Sequence, residues 1–230
     1  MQLQEYAIIV AGGSGSRMKS ELPKQFIPLL GKPILMHTIE VFHGYSTQCK
    51  ILVVLPENHL QNWADLCRKH RFKIAHQTIA GGTSRFQSVK NGLLHVDDME
   101  SLVAIHDGVR PLVRAEIISA SFRLAGLHGS AVAAVRLKES LRVTNKDGTK
   151  ALDRSSFRLI QTPQTFQYRL IREAYDIVDN SELTDDASVA EQNGVRISLF
   201  EGSYENIKIT TPEDLILAEA LLKNRWHKKR

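Results

Sequence analysis

The chain opens on a short apolar run, residues 7–10, that stops at paired glycines and reads as a buried strand. Residues 33–42 carry apolar positions at helical spacing, with Ile34, Leu35, Thr38, Ile39 and Phe42 on one side. A second buried strand spans 50–55, closed by Pro56, and a helix follows over 60–70. The pattern then predicts a weak strand at 73–78, a helix at 83–94 and a strong strand at 102–105. A helix at 115–127 and a strand at 131–135 come next. Strands alternating with helices imply crossover connections, so the expected fold is α/β and Rossmann-like. Its sheet is mostly parallel, twisted and flanked by helices on both faces.

The rhythm changes near residue 137. Residues 141–144 and 149–152 are β-prone and flank Asn145-Lys146-Asp147-Gly148, where Asp-Gly is a hairpin signal. Residues 137–159 therefore predict a projecting antiparallel β-arm on a single domain spanning 1–230. Its apolar residues Leu141, Val143, Leu152, Phe157 and Leu159 need a surface to cover them, because a two-stranded ribbon is marginal alone. The simplest cover is the same arm of a second copy, in a two-fold homodimer. Helices near 167–178 and 187–192 and strands near 196–200 and 207–209 follow. A last helix opens at Thr211-Pro212-Glu213-Asp214, where threonine caps, proline takes the first position and acids fill the first turn.

Bulk properties narrow the class. The 230 residues are 43% hydrophobic and 24% charged, values of a soluble globular chain. Such a chain buries roughly 70–75% of its unfolded surface and needs no covalent staples. Cys49 and Cys67 form neither a disulfide framework nor a metal spacing, which fits a reducing cytoplasm. The first apolar run is too short for a signal peptide, and no run approaches the roughly 20 residues of a membrane span. The net charge of +5 comes partly from the basic tail at 223–230, which reads as a solvated helix end. The other cations are scattered through loops, suiting a small anionic substrate better than nucleic acid.

Candidate chemistry sits in the loops after strands. Ala11-Gly12-Gly13-Ser14-Gly15-Ser16-Arg17 follows the first strand, and Pro23-Lys24-Gln25-Phe26 lies just beyond. Three glycines in four positions let backbone N–H groups turn toward a phosphate. The dinucleotide fingerprint fails because Met18 stands where its third glycine belongs. The phosphate-loop motif fails too, since position 26, five residues before Gly31-Lys32, is Phe. What remains is a glycine loop followed by Arg17 and Lys24 at fixed distance. Asp107 ends an apolar strand, at the edge where open α/β sheets bind ligands. An acid there can hold Mg²⁺ or a substrate hydroxyl. His106 beside it reads as structural, because a phosphate nucleophile needs no base.

The glycine loop, its arginine and Pro-Lys resemble the opening of the nucleoside-triphosphate sugar nucleotidyltransferases. Further segments match in order: Gly81-Gly82-Thr83-Ser84-Arg85-Phe86-Gln87-Ser88-Val89, then His106-Asp107-Gly108-Val109-Arg110-Pro111. Gln161-Thr162-Pro163-Gln164-Thr165-Phe166, Thr184-Asp185-Asp186-Ala187-Ser188 and Asn206-Ile207-Lys208-Ile209-Thr210-Thr211 complete the series. Within these enzymes, Pro-Lys-Gln-Phe is similar to the cytidylyltransferases that act on 2-C-methyl-D-erythritol 4-phosphate in non-mevalonate isoprenoid synthesis.

The resemblance implies transfer of the cytidylyl group of CTP to that polyol phosphate, with Mg²⁺ as cofactor and pyrophosphate as leaving group. It implies that Ala11, Gly12, Gly13, Ser14 and Gly15 cradle the nucleotide and that Arg17 and Lys24 stabilise charge on the α-phosphorus. Gly82, Thr83 and Ser88 would read cytosine, with Asp107 and Gly108 alongside. Thr83 could equally cap a helix. Asp107, Arg110, Ser140, Thr184 and Lys208 would serve the acceptor, and Arg154 would reach a neighbouring subunit's acceptor phosphate. Thr184, too, could simply cap a helix. A ribitol-5-phosphate cytidylyltransferase shares several of these segments, but Thr-Asp-Asp-Ala-Ser-Val favours the erythritol enzyme. A non-catalytic nucleotide-binding protein should have lost charge at 17, 24 or 208, and all three are present.

Overall fold

The first apolar run becomes β1 (Glu5–Val10), whose residues alternate between two cores. Ile8 and Val10 point into one and Ala7 and Ile9 into the other, as the two-residue period of a strand requires. The computed structural model describes residues 3–13, 18, 22–146, 148–178 and 183–227. After β1, a two-stranded ribbon, β2 (Pro28–Leu29) with β3 (Lys32–Pro33), leads into α1 (Ile34–Tyr45). Then come β4 (Lys50–Leu55), α2 (Leu60–Lys69), β5 (Gln77–Ala80), α3 (Arg85–Leu93), β6 (Leu102–Asp107), α4 (Ala115–His128) and β7 (Ser130–Arg136). The hairpin strands β8 (Leu141–Asn145) and β9 (Gly148–Leu152) interrupt the alternation. The chain ends through β10 (Arg158–Gln167), α5 (Tyr168–Ile177), α6 (Asp186–Gln192), β11 (Leu199–Glu201) and α7 (Pro212–His227).

The central sheet has seven strands in the order β11-β7-β10-β6-β1-β4-β5, and β10 alone runs antiparallel to its neighbours. The fold is therefore α/β with a mostly parallel sheet. Phe86, Val89 and Leu93 of α3, Ile171 and Tyr175 of α5 and Val189 of α6 cover one face. Leu35, Ile39 and Phe42 of α1, Trp63 of α2, and Ile118 and Phe122 of α4 cover the other. A third cluster joins Ile209 and the α7 residues Ala218 and Leu222 to Leu29, Ile34 and Val109. The chain runs outward from β1 through β4 to β5, then returns to place β6 on the other side of β1. That reversal opens a crevice at the carboxyl ends of β1, β4 and β6.

Four expectations need correction. The strand expected at 73–78 is β5, shifted toward the C-terminus, because its ladder pairs Gln77 to Ala80 with Leu52 to Leu55. Residues 207–209 form no ladder; they are an extended segment held by the Ile209 N–H bond to Val109 O at 2.9 Å. The strand expected at 196–200 is confined to β11. Residues 158–167, read only as an arm end and a motif, form a ten-residue strand. Its register shifts between Ile160 and Gln164, around Pro163, which has no N–H to donate.

The last helix starts as the pattern implies. Thr211 Oγ1 accepts from Asp214 N–H at 3.4 Å, and Asp214 Oδ2 accepts from Thr211 N–H at 2.9 Å, a reciprocal cap. Burial pushes the Cys49 thiol up to about 12 and that of Cys67 to about 11, so both stay protonated at neutral pH. Among the described residues, no helix is long and apolar enough to cross a membrane.

Candidate active site

The glycine loop lies at the end of β1, pinned by Ala11 N–H donating to Val54 O at 2.9 Å. Across the crevice, Gly81 N–H donates to Leu55 O at 2.7 Å, so both loops hang from β4. Between them is a cleft of about 210 Å³ whose lining includes Ala11, Gly12, Gly13, Lys24, Gly82, Thr83 and Ser88, with Asp107 and Lys208 at its end. Lys24 sits in a single helical turn, 24–26, whose Phe26 ring stacks on Trp63 with centroids 6.0 Å apart. A Cβ on Gly13 would come within 2.8 Å of Lys24 Cε and 3.0 Å of Nζ. Only glycine at 13 lets that ammonium lie against the loop backbone.

The opposite wall is the entry to α3. Ser84 caps this helix, its hydroxyl accepting from Gln87 N–H at 3.0 Å, so Thr83 lies outside the cap and lines the cleft. Ser88 Oγ accepts from Gly82 N–H at 3.1 Å and donates to Ser84 O at 2.8 Å. A hydroxyl accepts through two lone pairs, so one is left for a ligand.

Asp107, at the tip of β6, organises the cations. Its Oδ2 lies 3.0 Å from Arg110 Nε and 3.1 Å from Lys208 Nζ. Burial raises its pKa, but Lys208, Arg110 and Arg85 outweigh that and hold the carboxyl far below the usual range. Arg110 also donates through Nη1 to Asn206 O at 2.8 Å, tying the segment that carries Lys208 to β6. Behind them His106 is fully buried. Asp107 N–H donates to Thr162 Oγ1 at 3.1 Å, and the Thr162 hydroxyl lies 3.0 Å from His106 Nδ1. His106 Nε2 is 3.2 Å from Arg110 O. Nε2–H therefore donates to that carbonyl and Nδ1 accepts from Thr162, a neutral ring with both nitrogens used. Burial drives its pKa down to about 4.

A second cleft, of about 400 Å³, adjoins the first and shares Arg85, Asp107 and Lys208 with it. Arg110, Thr184, Asp185, Gln164 and Ser188 are among its other polar lining residues. Asp185 caps α6, accepting from Ser188 N–H at 3.1 Å, so Thr184 is not the cap. Arg85 shows no sign of a role in the sequence, although it stands within the segment 81–89. An arginine after a serine cap carries no chemical signal until its carboxylate partner, Asp186, 101 residues on, is placed beside it.

Three expected site residues are not brought to these clefts. Gly108 lies behind the glycine loop with its backbone used: N–H to Val10 O at 2.8 Å, and O from Thr38 Oγ1 at 2.9 Å. Ser140 and Arg154 lie beside the hairpin and line neither cleft, and the Arg154 guanidinium donates to Lys138 O there. Ser14, Gly15 and Arg17 lie outside the described residues.

Among the described residues, no three His, Cys, Asp or Glu side chains gather as a metal site. Among the described residues Asp107 is the one acid lining the first cleft, with Arg110 and Lys208 both on its Oδ2. That donor set fits Mg²⁺ only as an ion carried mainly by phosphates and water, with Asp107 as its one carboxylate.

A glycine loop at the carboxyl edge of a parallel sheet, beside two adjoining clefts that share Arg85, Asp107 and Lys208, is the arrangement of a nucleotidyltransferase. The sequence pattern of the 2-C-methyl-D-erythritol 4-phosphate cytidylyltransferases matches residues 6–224. Two proteins bearing that name are similar to this chain. The one from Porphyromonas gingivalis strain W83 is 49% identical over 223 residues, covering 96% of this chain and 99% of its own. The one from Azobacteroides pseudotrichonymphae is 48% identical over 220 residues, covering 95% and 99%. A solved structure of 4-diphosphocytidyl-2C-methyl-D-erythritol synthase from Anaerococcus prevotii superposes with a TM-score of 0.82 at 28% identity, covering 96% of each chain. The chain belongs to the 2-C-methyl-D-erythritol 4-phosphate cytidylyltransferase family.

Proposed function

We propose that this chain transfers the cytidylyl group of CTP to 2-C-methyl-D-erythritol 4-phosphate and releases pyrophosphate. The observation that carries the reading is the pair of clefts meeting at Arg85, Asp107 and Lys208, in a member of this family. A nucleotide in the first cleft would turn its α-phosphate toward that junction, and a phosphate monoester in the second would approach from the other side. An oxygen of the acceptor phosphate attacks the α-phosphorus, and the bond from that phosphorus to the bridging oxygen of the β-phosphate breaks. Pyrophosphate carries the electron pair away. The nucleophile is already anionic, so the barrier is charge repulsion, which fixed cations and backbone donors relieve.

In this reading Lys24, with Arg17, stabilises charge at the α-phosphorus, and the loop of residues 11–15 holds the nucleotide through backbone N–H groups other than that of Ala11, which is bonded to Val54 O. Lys208, oriented by Asp107, positions the acceptor phosphate; Arg110 holds the Lys208 segment in place. Thr184 borders the acceptor, and Arg154 and Ser140 complete the acceptor site of a partner subunit in a homodimer. Asp107 would be the one carboxylate to hold Mg²⁺ carried by the triphosphate, and the ion would neutralise further phosphate charge there. A cytoplasmic location fits two free thiols and CTP as substrate.

The test is pyrophosphate release from CTP with methylerythritol phosphate and with ribitol 5-phosphate in parallel. We expect turnover with the first at least tenfold faster in kcat/KM, about what one mismatched polar contact removes. Preference for ribitol phosphate, or no release with either, overturns the reading.

A further inference from the structure

Arg85 opens α3 and borders both clefts, yet its charge is already paired. Nη1 donates to Asp186 Oδ1 at 2.8 Å and Nη2 to Oδ2 at 2.6 Å, a two-pronged contact between residues 101 apart in sequence. Asp186 is 0% exposed at the start of α6, and its Oδ1 also accepts from the Tyr175 hydroxyl at 2.7 Å. Tyr175, on α5, is itself buried and stacks on Phe86 of α3 with centroids 4.7 Å apart.

The helices joined in this way wall different clefts. One turn into α3, Ser88 fixes the Gly82 N–H that faces the nucleotide cleft. Beside Asp186, Asp185 accepts from Gln164 Nε2 at 3.0 Å, and Gln164 Oε1 accepts from Ala187 N–H at 2.7 Å, which builds the acceptor wall. A buried ion pair is a poor device for stability, since apolar residues of equal volume often serve as well. A planar fork on a carboxylate that a third group also holds has one distinctive product, a fixed orientation.

We propose that Asp186 and Tyr175 are positioning residues: acting through Arg85, they lock the base-reading helix to the helix that walls the acceptor pocket and so fix the separation of the two substrates. The inference rests on the cytidylyl-transfer reading above.

The test is a double-mutant cycle on the full chain, with Asp186→Asn and Tyr175→Phe each made alone and in an Arg85→Lys background. Asp186→Asn should lower kcat about tenfold, because small misplacements of reacting groups are costly. The Kd for CTP should stay within about threefold, because the Ser84 cap and Ser88 still hold α3. Tyr175→Phe, which removes one oxygen and keeps the ion pair, should lower kcat about threefold by the same misplacement. It remains informative if Asp186→Asn fails to fold. In the Arg85→Lys background both effects should shrink to less than about twofold, since the residue they act through has lost its fork. Losses that multiply in the double variants, or wild-type kcat in both single variants, overturn the proposal while leaving the function reading intact. An inactive wild-type chain overturns the function reading and this inference with it.

Discussion

His106 and Lys24 show how single residues are committed by their surroundings. His106 has its pKa lowered from 6.5 to about 4 by burial, so the folded state resists a proton that the unfolded chain accepts. Stability from this residue is therefore intact above about pH 6.5, declines as pH falls toward 4, and levels off below that, a loss of about 3 kcal/mol. His37, also lowered mainly by burial, adds a slope of the same sign. Urea unfolding between pH 7 and 4.5 should show this slope in the wild type and a shallower one in His106→Gln. Equal slopes would refute the assignment. Lys24 has a transition-state role in the proposed mechanism, so Lys24→Met should lower kcat by about 10²-fold or more, as lost oxyanion donors do. The Kd for CTP should change far less. A variant with near-normal kcat would remove Lys24 from the chemistry.

In the proposed mechanism the turn from β5 into α3 reads the base, because Gly82 and Ser88 line the first cleft. Cytosine offers an exocyclic amine where uracil has a carbonyl, and an unmatched buried polar group costs roughly 1–3 kcal/mol. UTP should therefore have a kcat/KM at least about tenfold below that of CTP. Ser88→Ala should narrow this ratio, since the Gly82 N–H loses its acceptor; equal use of CTP and UTP by the wild type would contradict the reading. At this scale the sequence was legible where periodicity was strong. Strand β4 and helices α1, α2 and α4 fall within about three residues of their expected ends, because β4 is apolar and buried along nearly its whole length and each helix lays an apolar face on the sheet. It was not legible at β10, whose residues Gln161, Thr162, Pro163 and Gln164 look like a loop. Their polar atoms are satisfied by partners far along the chain: Gln161 Nε2 donates to Ser203 O at 2.8 Å, and Thr162 serves His106. The same blindness hid the partnership of Arg85 with Asp186. Motif order located the segments, but only the fold paired them.

In the whole molecule, the hairpin and the start of β10 leave apolar side chains without cover on the single chain. Val143 is 45% exposed on the hairpin, and Phe157, Leu159 and Ile160 are exposed where the chain enters β10. Exposed apolar side chains of this kind suit an association surface, and two copies of a hairpin can cover each other about a two-fold axis. In the proposed homodimer Arg154 leaves its contact with Lys138 and reaches the partner's acceptor phosphate, for which its planar fork is suited. Arg154→Ala should then leave the Kd for CTP unchanged while raising the KM for the acceptor. The sharper test, run with the acceptor far below the raised KM, mixes two proteins that are each inactive under that condition. A heterodimer of one Arg154→Ala subunit and one Lys208→Ala subunit contains one site with both cations and one with neither. Random exchange makes half the dimers mixed, so an equimolar mixture should recover about a quarter of wild-type activity, whereas each parent alone stays inactive. Recovery should follow the rate of subunit exchange, read in parallel by a fluorescence label on each variant. If labelled heterodimers form and the mixture remains as inactive as its parents, Arg154 acts within its own chain and the shared-site dimer is wrong.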